Sequence, residues 1–219
     1  MKKITLVSIV LVGALMMMVS CGGGVSQGEQ QQSNSDDEKT SLGEAVSALG
    51  GLKKMADQAD DMGSLQKKLS KMQPVSNETL KKVLPETLMG MKRTKYSINS
   101  NEMFGNLLMG SATYTKDDDH DIELSITDGA GETGSSVLML AIWGLRADME
   151  EETESGFTKT IEKDGRHIKV KQKKQGDNVR SELTTAIRDR FLVKLDGNNF
   201  TVDELQKAYD ALDFGALED

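Results

Sequence analysis

Phe157-Thr158-Lys159-Thr160-Ile161-Glu162-Lys163-Asp164-Gly165-Arg166-His167-Ile168-Lys169-Val170-Lys171-Gln172-Lys173-Lys174 is the stretch whose reading decides the fold. Two segments, 157–163 and 166–174, flank Asp164-Gly165, and in both the apolar residues fall on alternate positions. A period of two is the mark of a strand with one buried face. Asp-Gly between such strands suits the two positive φ angles of a tight type I′ turn. The stretch predicts a β-hairpin, and with it an antiparallel sheet.

Working outward from the hairpin, the same period recurs on both sides. Upstream, Lys92 to Ile98, Leu107 to Thr115 and Ile122 to Thr127 read as three strands; in the last, Ile122, Leu124 and Ile126 share one face and Glu123, Ser125 and Thr127 the other. Between them and the hairpin lies Val137-Leu138-Met139-Leu140-Ala141-Ile142-Trp143-Gly144-Leu145, apolar nearly all round, which predicts a helix buried against the sheet. Glu150-Glu151-Glu152 after it reads as a solvated acidic run. Downstream, Ser181 to Ile187 and Arg190 to Leu195 make a further strand pair, and Asp196-Gly197-Asn198-Asn199 reads as a turn. Thr201-Val202-Asp203-Glu204 fits a capping box that opens a last helix to Leu212.

Adjacent strands joined by turns and interleaved with helices predict an α+β fold. Its core is a mainly antiparallel sheet of about seven strands covered by helices, an α-β-α sandwich-like arrangement over 84–219. This order, with Leu84-Pro85-Glu86 ahead of the sheet and Gly165-Arg166 in the hairpin, resembles the PsbP/Mog1-like α-β-α sandwich found also in DcrB-like envelope lipoproteins. The resemblance implies a binding or assembly factor, with no catalytic motif attached to it.

Ahead of the sheet, residues 41–83 predict a helical segment. Ser41-Leu42-Gly43-Glu44 fits a capping box, and Leu42, Ala45, Leu49, Leu52, Ala56 and Ala59 form an amphipathic stripe that Gly50-Gly51 interrupts and Leu65, Leu69 and Met72 resume. The stripe serves packing on the chain's own domain, or self-association as a stalk. Pro74 closes it, and Asn77 to Val83 reads as a short helix. Residues 21–40, rich in Gly, Ser, Gln, Asn and acid, carry too little apolar area to offset chain entropy and read as a disordered tether. Asp36-Asp37-Glu38 within it reads as a solvated linker rather than a surface-export address.

Residues 1–20 begin with Lys2-Lys3 and run apolar from Ile4 to Met18, too short for a spanning helix and the right length for an export signal. Met18-Val19-Ser20-Cys21 resembles a bacterial lipobox, and Cys21 is the only cysteine in the chain. The resemblance implies cleavage before Cys21, acylation there, and anchoring in a bacterial envelope membrane. Gly22 behind the cysteine is compatible with the outer membrane.

Composition limits the partners. With 27 Lys+Arg against 35 Asp+Glu, the chain carries a formal net charge of −8, a poor fit to nucleic acid or to anionic lipid. With Cys21 acylated, no disulfide is possible.

Three constellations invite chemistry. Gly129-Ala130-Gly131-Glu132-Thr133-Gly134 spells a dinucleotide fingerprint between a strand and a helix, but the strand before it is half exposed and the next strands form a hairpin, so a strand-to-helix loop is expected and no cofactor. Asp117-Asp118-Asp119-His120-Asp121 offers carboxylates to a hard cation, yet adjacent residues do not all point one way, and a charged hairpin tip is expected with no metal. His120 and His167 are the only histidines, and Ser135-Ser136 has no acid or histidine placed beside it by sequence. No catalytic residue is assigned. The expected function is a lipid-anchored, non-enzymatic binding or assembly module whose partner is an envelope protein or small ligand. The alternative is an envelope hydrolase with its site at the Gly129–Gly134 loop.

Overall fold

A computed structural model of the chain describes residue 57 and residues 59–101 and 107–217. Residues 1–56, on which the expectations of an export segment, of an acylated Cys21, of a tether and of the first part of the 41–83 helical segment fall, lie outside the described residues.

The hairpin forms as its sequence demands. Strand β6 (Gly156–Lys163) pairs antiparallel with β7 (Arg166–Gln175) across Asp164-Gly165, whose φ angles are +51° and +71°. Around it the chain lays down β1 (Thr87–Leu88), β2 (Met91–Asn101), β3 (Leu107–Asp117), β4 (His120–Asp128), β5 (Glu150–Thr153), β8 (Asn178–Ile187) and β9 (Phe191–Asn198). The nine strands form one sheet in the order β1-β2-β3-β4-β9-β8-β7-β6-β5, with every pair antiparallel. It is two meanders, β1–β4 and β5–β9, joined at the middle by β4 against β9. Helix α1 spans 59–69, α2 Asn77–Lys82, α3 Gly131–Arg146 and α4 Val202–Asp210. The fold is α+β and mostly β.

One face of the sheet carries the main core. Ala112 and Tyr114 on β3, Ile122, Leu124 and Ile126 on β4, Val193 and Leu195 on β9, Leu183 on β8 and Val170 on β7 are buried there beneath Leu80 of α2 and Leu205 and Ala208 of α4. Each such side chain contributes about 1.5–3 kcal/mol. Helix α4 is fixed at its start by the capping box its sequence spells: Thr201 Oγ1 accepts from Glu204 N while Glu204 Oε2 accepts from Thr201 N. The opposite face is covered at one end only. There Leu138, Met139 and Ile142 of α3 and Leu69 of α1, with Met62, Leu65 and Met72, pack over Ala186 and Leu192.

The structure corrects three expectations. The sheet has nine strands, not about seven. Strand β1 is two residues long, too short to show a period, and β5 is the acidic run Glu150-Glu151-Glu152 with Thr153. Ladder bonds belong to the backbone, so an exposed edge accepts such a run, and its charge discourages further pairing. Asp196, Gly197 and Asn198 are not a turn but the end of β9, paired with Glu123, Ile122 and Asp121. A Cβ on Gly197 would lie 2.9 Å from Leu205 Cδ2, so the glycine makes room for α4 rather than a bend. Finally, α3 is not buried all round: Leu140 and Trp143 are each 70% exposed.

Candidate functional site

The Gly129–Gly134 loop follows β4, whose last residue, Asp128, has no exposed surface. Its carboxylate accepts from Arg190 Nε at 2.8 Å and Arg190 Nη2 at 3.0 Å, from Ala130 N at 2.9 Å and from Val75 N at 2.8 Å. Arg190 Nη2 also donates to Gln73 O, and Gly129 N donates to Arg190 O. Three distant segments thus meet in one buried knot, with every acceptor site of the carboxylate used. Sequence reasoning missed it. The signal was Asp128 itself, a carboxylate on the apolar face of β4 after Ile122, Leu124 and Ile126; its partner stands 62 positions away.

The glycines serve this packing. A Cβ on Gly129 would lie 2.5 Å from Leu138 Cδ2 and 2.7 Å from Arg190 O, and one on Gly134 would lie 2.8 Å from Asp128 O. Gly131 holds φ +82° at the start of α3. Close packing explains two of the three and backbone conformation the third. The antiparallel neighbours of β4 provide no switch point between parallel strands of the kind a dinucleotide site uses.

Beside the loop, an open cleft of about 430 Å³ lies between α1 and the first turn of α3, lined by Gly63, Gln66, Lys67, Ser70, Glu132, Ser135 and Ser136. Both serine hydroxyls donate to Glu132 O, at 2.9 and 3.0 Å, and Gln66 Nε2 donates to Ser136 Oγ at 3.3 Å. Neither histidine lines this cleft. His120 is at the β3–β4 turn, and His167 lines a separate cavity with Asp61, Arg146 and Arg166.

At the acidic tip, Asp117 Oδ1 accepts from Asp119 N and sits 2.6 Å from His120 Nδ1. The hydrogen bond to His120 holds the Asp117 carboxyl below its ordinary value. Asp121 Oδ1 accepts from Asn198 Nδ2, and Asp119 O from Asn199 Nδ2. The Asp117 and Asp121 carboxylates are thus engaged by different partners, and among the described residues no group of three or more His, Cys, Asp or Glu side chains is placed to hold a metal ion.

A further polar surface is the part of the sheet that α1 and α3 leave open. Strand register sets its residues in rows. Glu123 stands opposite Asp196, then Glu182, Lys171 and Thr158; Ser125 stands opposite Lys194, then Thr184, Lys169 and Thr160. A third row runs Asp121, Asn198, Arg180, Lys173. Lys194 Nζ lies 3.1 Å from Asp196 Oδ2 and 3.4 Å from Glu182 Oε2. Burial pulls the Lys194 pKa down, but the bond and charge of Asp196, then Glu182, outweigh it and hold the ammonium above its ordinary value. Charge is graded across the face: β4 carries Asp121 and Glu123, β9 and β8 each carry one acid and one base (Asp196 and Lys194, Glu182 and Arg180), and β7 carries Lys169, Lys171 and Lys173. A slot of about 110 Å³ opens at Lys171, Arg180, Glu182 and Asp196, where both signs of charge meet.

Compared with models of protein families, with curated proteins and with solved structures, the chain gives no match.

Proposed function

We propose that the chain is a lipid-anchored binding or assembly module of the bacterial envelope, non-enzymatic, held in a membrane (the outer membrane on the strength of Gly22) by acylated Cys21, and that it engages an envelope protein through the open face of the sheet. One observation carries the choice of face: the part of the sheet that α1 and α3 leave open presents a charge gradient, from Asp121 and Glu123 on β4, through Lys194 and Asp196 on β9 and Glu182 and Arg180 on β8, to Lys169, Lys171 and Lys173 on β7. Charge graded in this way favours one orientation of a complementary protein surface and speeds its encounter. The Gly129–Gly134 loop fits the role less well, because its glycines are committed to the Asp128–Arg190 knot.

Crosslinking and pull-down from intact cells tests this reading. Native protein, a Cys21→Ala chain and a Lys171→Glu/Lys173→Glu variant are compared, with Lys207→Glu on the far side of the domain as control. The expected result is one dominant partner, kept by the control, lost by the β7 variant and reduced when the anchor is absent. A partner kept by the β7 variant sinks the choice of face.

A second reading, an envelope hydrolase, draws on the cleft that places Glu132 beside Ser135 and Ser136. Hydrolysis of an envelope ester or peptide that falls away on Ser135→Ala or Glu132→Gln, with folding intact, would decide for it.

A further inference from the structure

Helix α3 buries Leu138, Ile142 and Leu145 and turns the opposite side to solvent. On that side Val137 is 38% exposed and Leu140 and Trp143 are each 70% exposed. Between Glu132 and Arg146 the helix carries no ionisable residue, so the outward face is uncharged over three turns. Soluble helices carry charge on such a face. Trp143 is the only tryptophan in the chain.

Two relations on the molecule narrow what covers this face. The first is where the chain enters. Gln66 of α1 bonds Ser136 near the start of α3, while Asp61 shares a cavity with Ile142, Leu145 and Arg146 near its end. The two helices therefore run antiparallel, and the chain coming from Cys21 joins the domain at the end of α3 that bears Trp143. The second is area. The exposed parts of Val137, Leu140 and Trp143 amount to roughly 350 Å², about half of what each partner of a stable dimer buries. A second copy is poorly served by so small a patch. A lipid interface is well served, since an aromatic ring with a polar edge and a neighbouring leucine are the side chains that settle at headgroup depth. Both signs of charge stand at each end, Lys67 and Glu132 at the first turn and Arg146 and Asp61 at the last.

Resting on the lipid-anchored reading above, we infer that the outward face of α3 seats on the bilayer that holds Cys21, with Trp143 and Leu140 entering the headgroup boundary. Two signals then hold the domain: the acyl chains fix it to the membrane, and α3 turns its own side of the sheet toward the bilayer, so that the open face beside it meets its partner at the membrane surface. The lipid is zwitterionic in chemistry. The α3 face offers no charge between its ends, and the net charge of −8 opposes an anionic surface.

The single tryptophan makes the test direct. The full chain, checked by mass for lipid on Cys21, is reconstituted in phosphatidylcholine vesicles with and without bromine on the acyl chains. Trp143 emission is expected to shift to the blue, to be quenched by the brominated lipid and to escape acrylamide. Leu140→Asp, at an exposed position that leaves the fold intact by thermal melt, should restore a solvent-exposed spectrum. Flotation of the full Cys21→Ala chain with the same vesicles should fall at least about tenfold on adding Leu140→Asp, the share expected when a leucine leaves an apolar contact. A tryptophan open to acrylamide and untouched by brominated lipid, on a chain that is acylated, overturns the docking and leaves the anchor standing. A chain without lipid on Cys21 overturns the anchor, and flotation of the Cys21→Ala chain then decides the α3 face alone. A dimer in lipid-free buffer with Trp143 shielded overturns the bilayer in favour of a second copy.

Discussion

Arg190 and Asp128 face each other through two parallel hydrogen bonds in a place water hardly reaches, their side chains 8% and 0% exposed. The pair closes the β8–β9 turn onto the end of β4 and, through Gln73 O and Val75 N, ties the chain between α1 and α2 to both. Removing one partner leaves a buried charge without compensation, which costs about 3–5 kcal/mol. Arg190→Ala and Asp128→Ala should each lower stability by that order in urea titrations. The apolar double variant Asp128→Leu/Arg190→Met should recover a good part of it, because neither charge is then stranded. Equal loss in the single and double variants would show that shape and not charge holds the knot.

Gly129 is the glycine of the G-x-G-x-x-G run with the least room. Alanine there meets Leu138 Cδ2 at 2.5 Å and the Arg190 carbonyl at 2.7 Å, and the second neighbour is backbone that does not yield easily. Gly129→Ala should cost about 1–3 kcal/mol, the range for overpacking. Gly144, inside α3 with nothing within 4 Å of a Cβ, gives the matched control: Gly144→Ala should gain up to about 1 kcal/mol from helix propensity. Thermal melts of the two variants should move in opposite directions.

The contrast between these glycines shows what the sequence made legible. Period two fixed β2, β3, β4 and the Asp164-Gly165 hairpin, because alternation is local and the turn dipeptide names its own geometry. The Thr201/Glu204 cap was equally readable for the same reason. What stayed hidden was set by distant partners. Asp128 finds Arg190 only once β4 and β9 lie side by side, and Gly197 sits in a strand because Leu205 needs its space. Glu150-Glu151-Glu152 joins the sheet through backbone bonds to β6 that its side chains do not announce. The open face was half visible: the charged alternate residues of each strand could be read, but not that α3 covers only one end of them.

Tyr114 links stability to alkaline pH. Its ring is buried on β3, its hydroxyl donates to Pro85 O at 2.9 Å, and burial pushes its pKa up to about 12 against the lowering charge of Arg93. A phenol with a raised folded pKa contributes stability that is whole below its unfolded value of about 10 and is lost as pH climbs through about 12. Tyr114→Phe should cost about 1 kcal/mol at neutral pH for the missing bond. It should also remove part of the stability loss between pH 10 and 12. Urea midpoints of the two proteins across that window would converge; parallel curves would mean that Tyr114 does not titrate in the folded state as proposed.

Met89 occupies the turn between β1 and β2 with φ +51°, followed by Gly90 at +79°. Positive φ at both central positions is what a type I′ hairpin turn asks for, and a long unbranched side chain accepts it only against steric resistance of about 1 kcal/mol. Asparagine tolerates this region, and Asn-Gly is the favoured pair for the turn. Met89 is 43% exposed, so little packing is lost in the exchange. Met89→Asn should therefore raise stability by about 0.5–1 kcal/mol, read as a higher urea midpoint at unchanged slope. It should also slow hydrogen exchange at Met91 and Lys92, which pair with β1 at the edge of the sheet. A lower midpoint would show that the Met89 side chain contributes more where it lies than the turn loses by holding it.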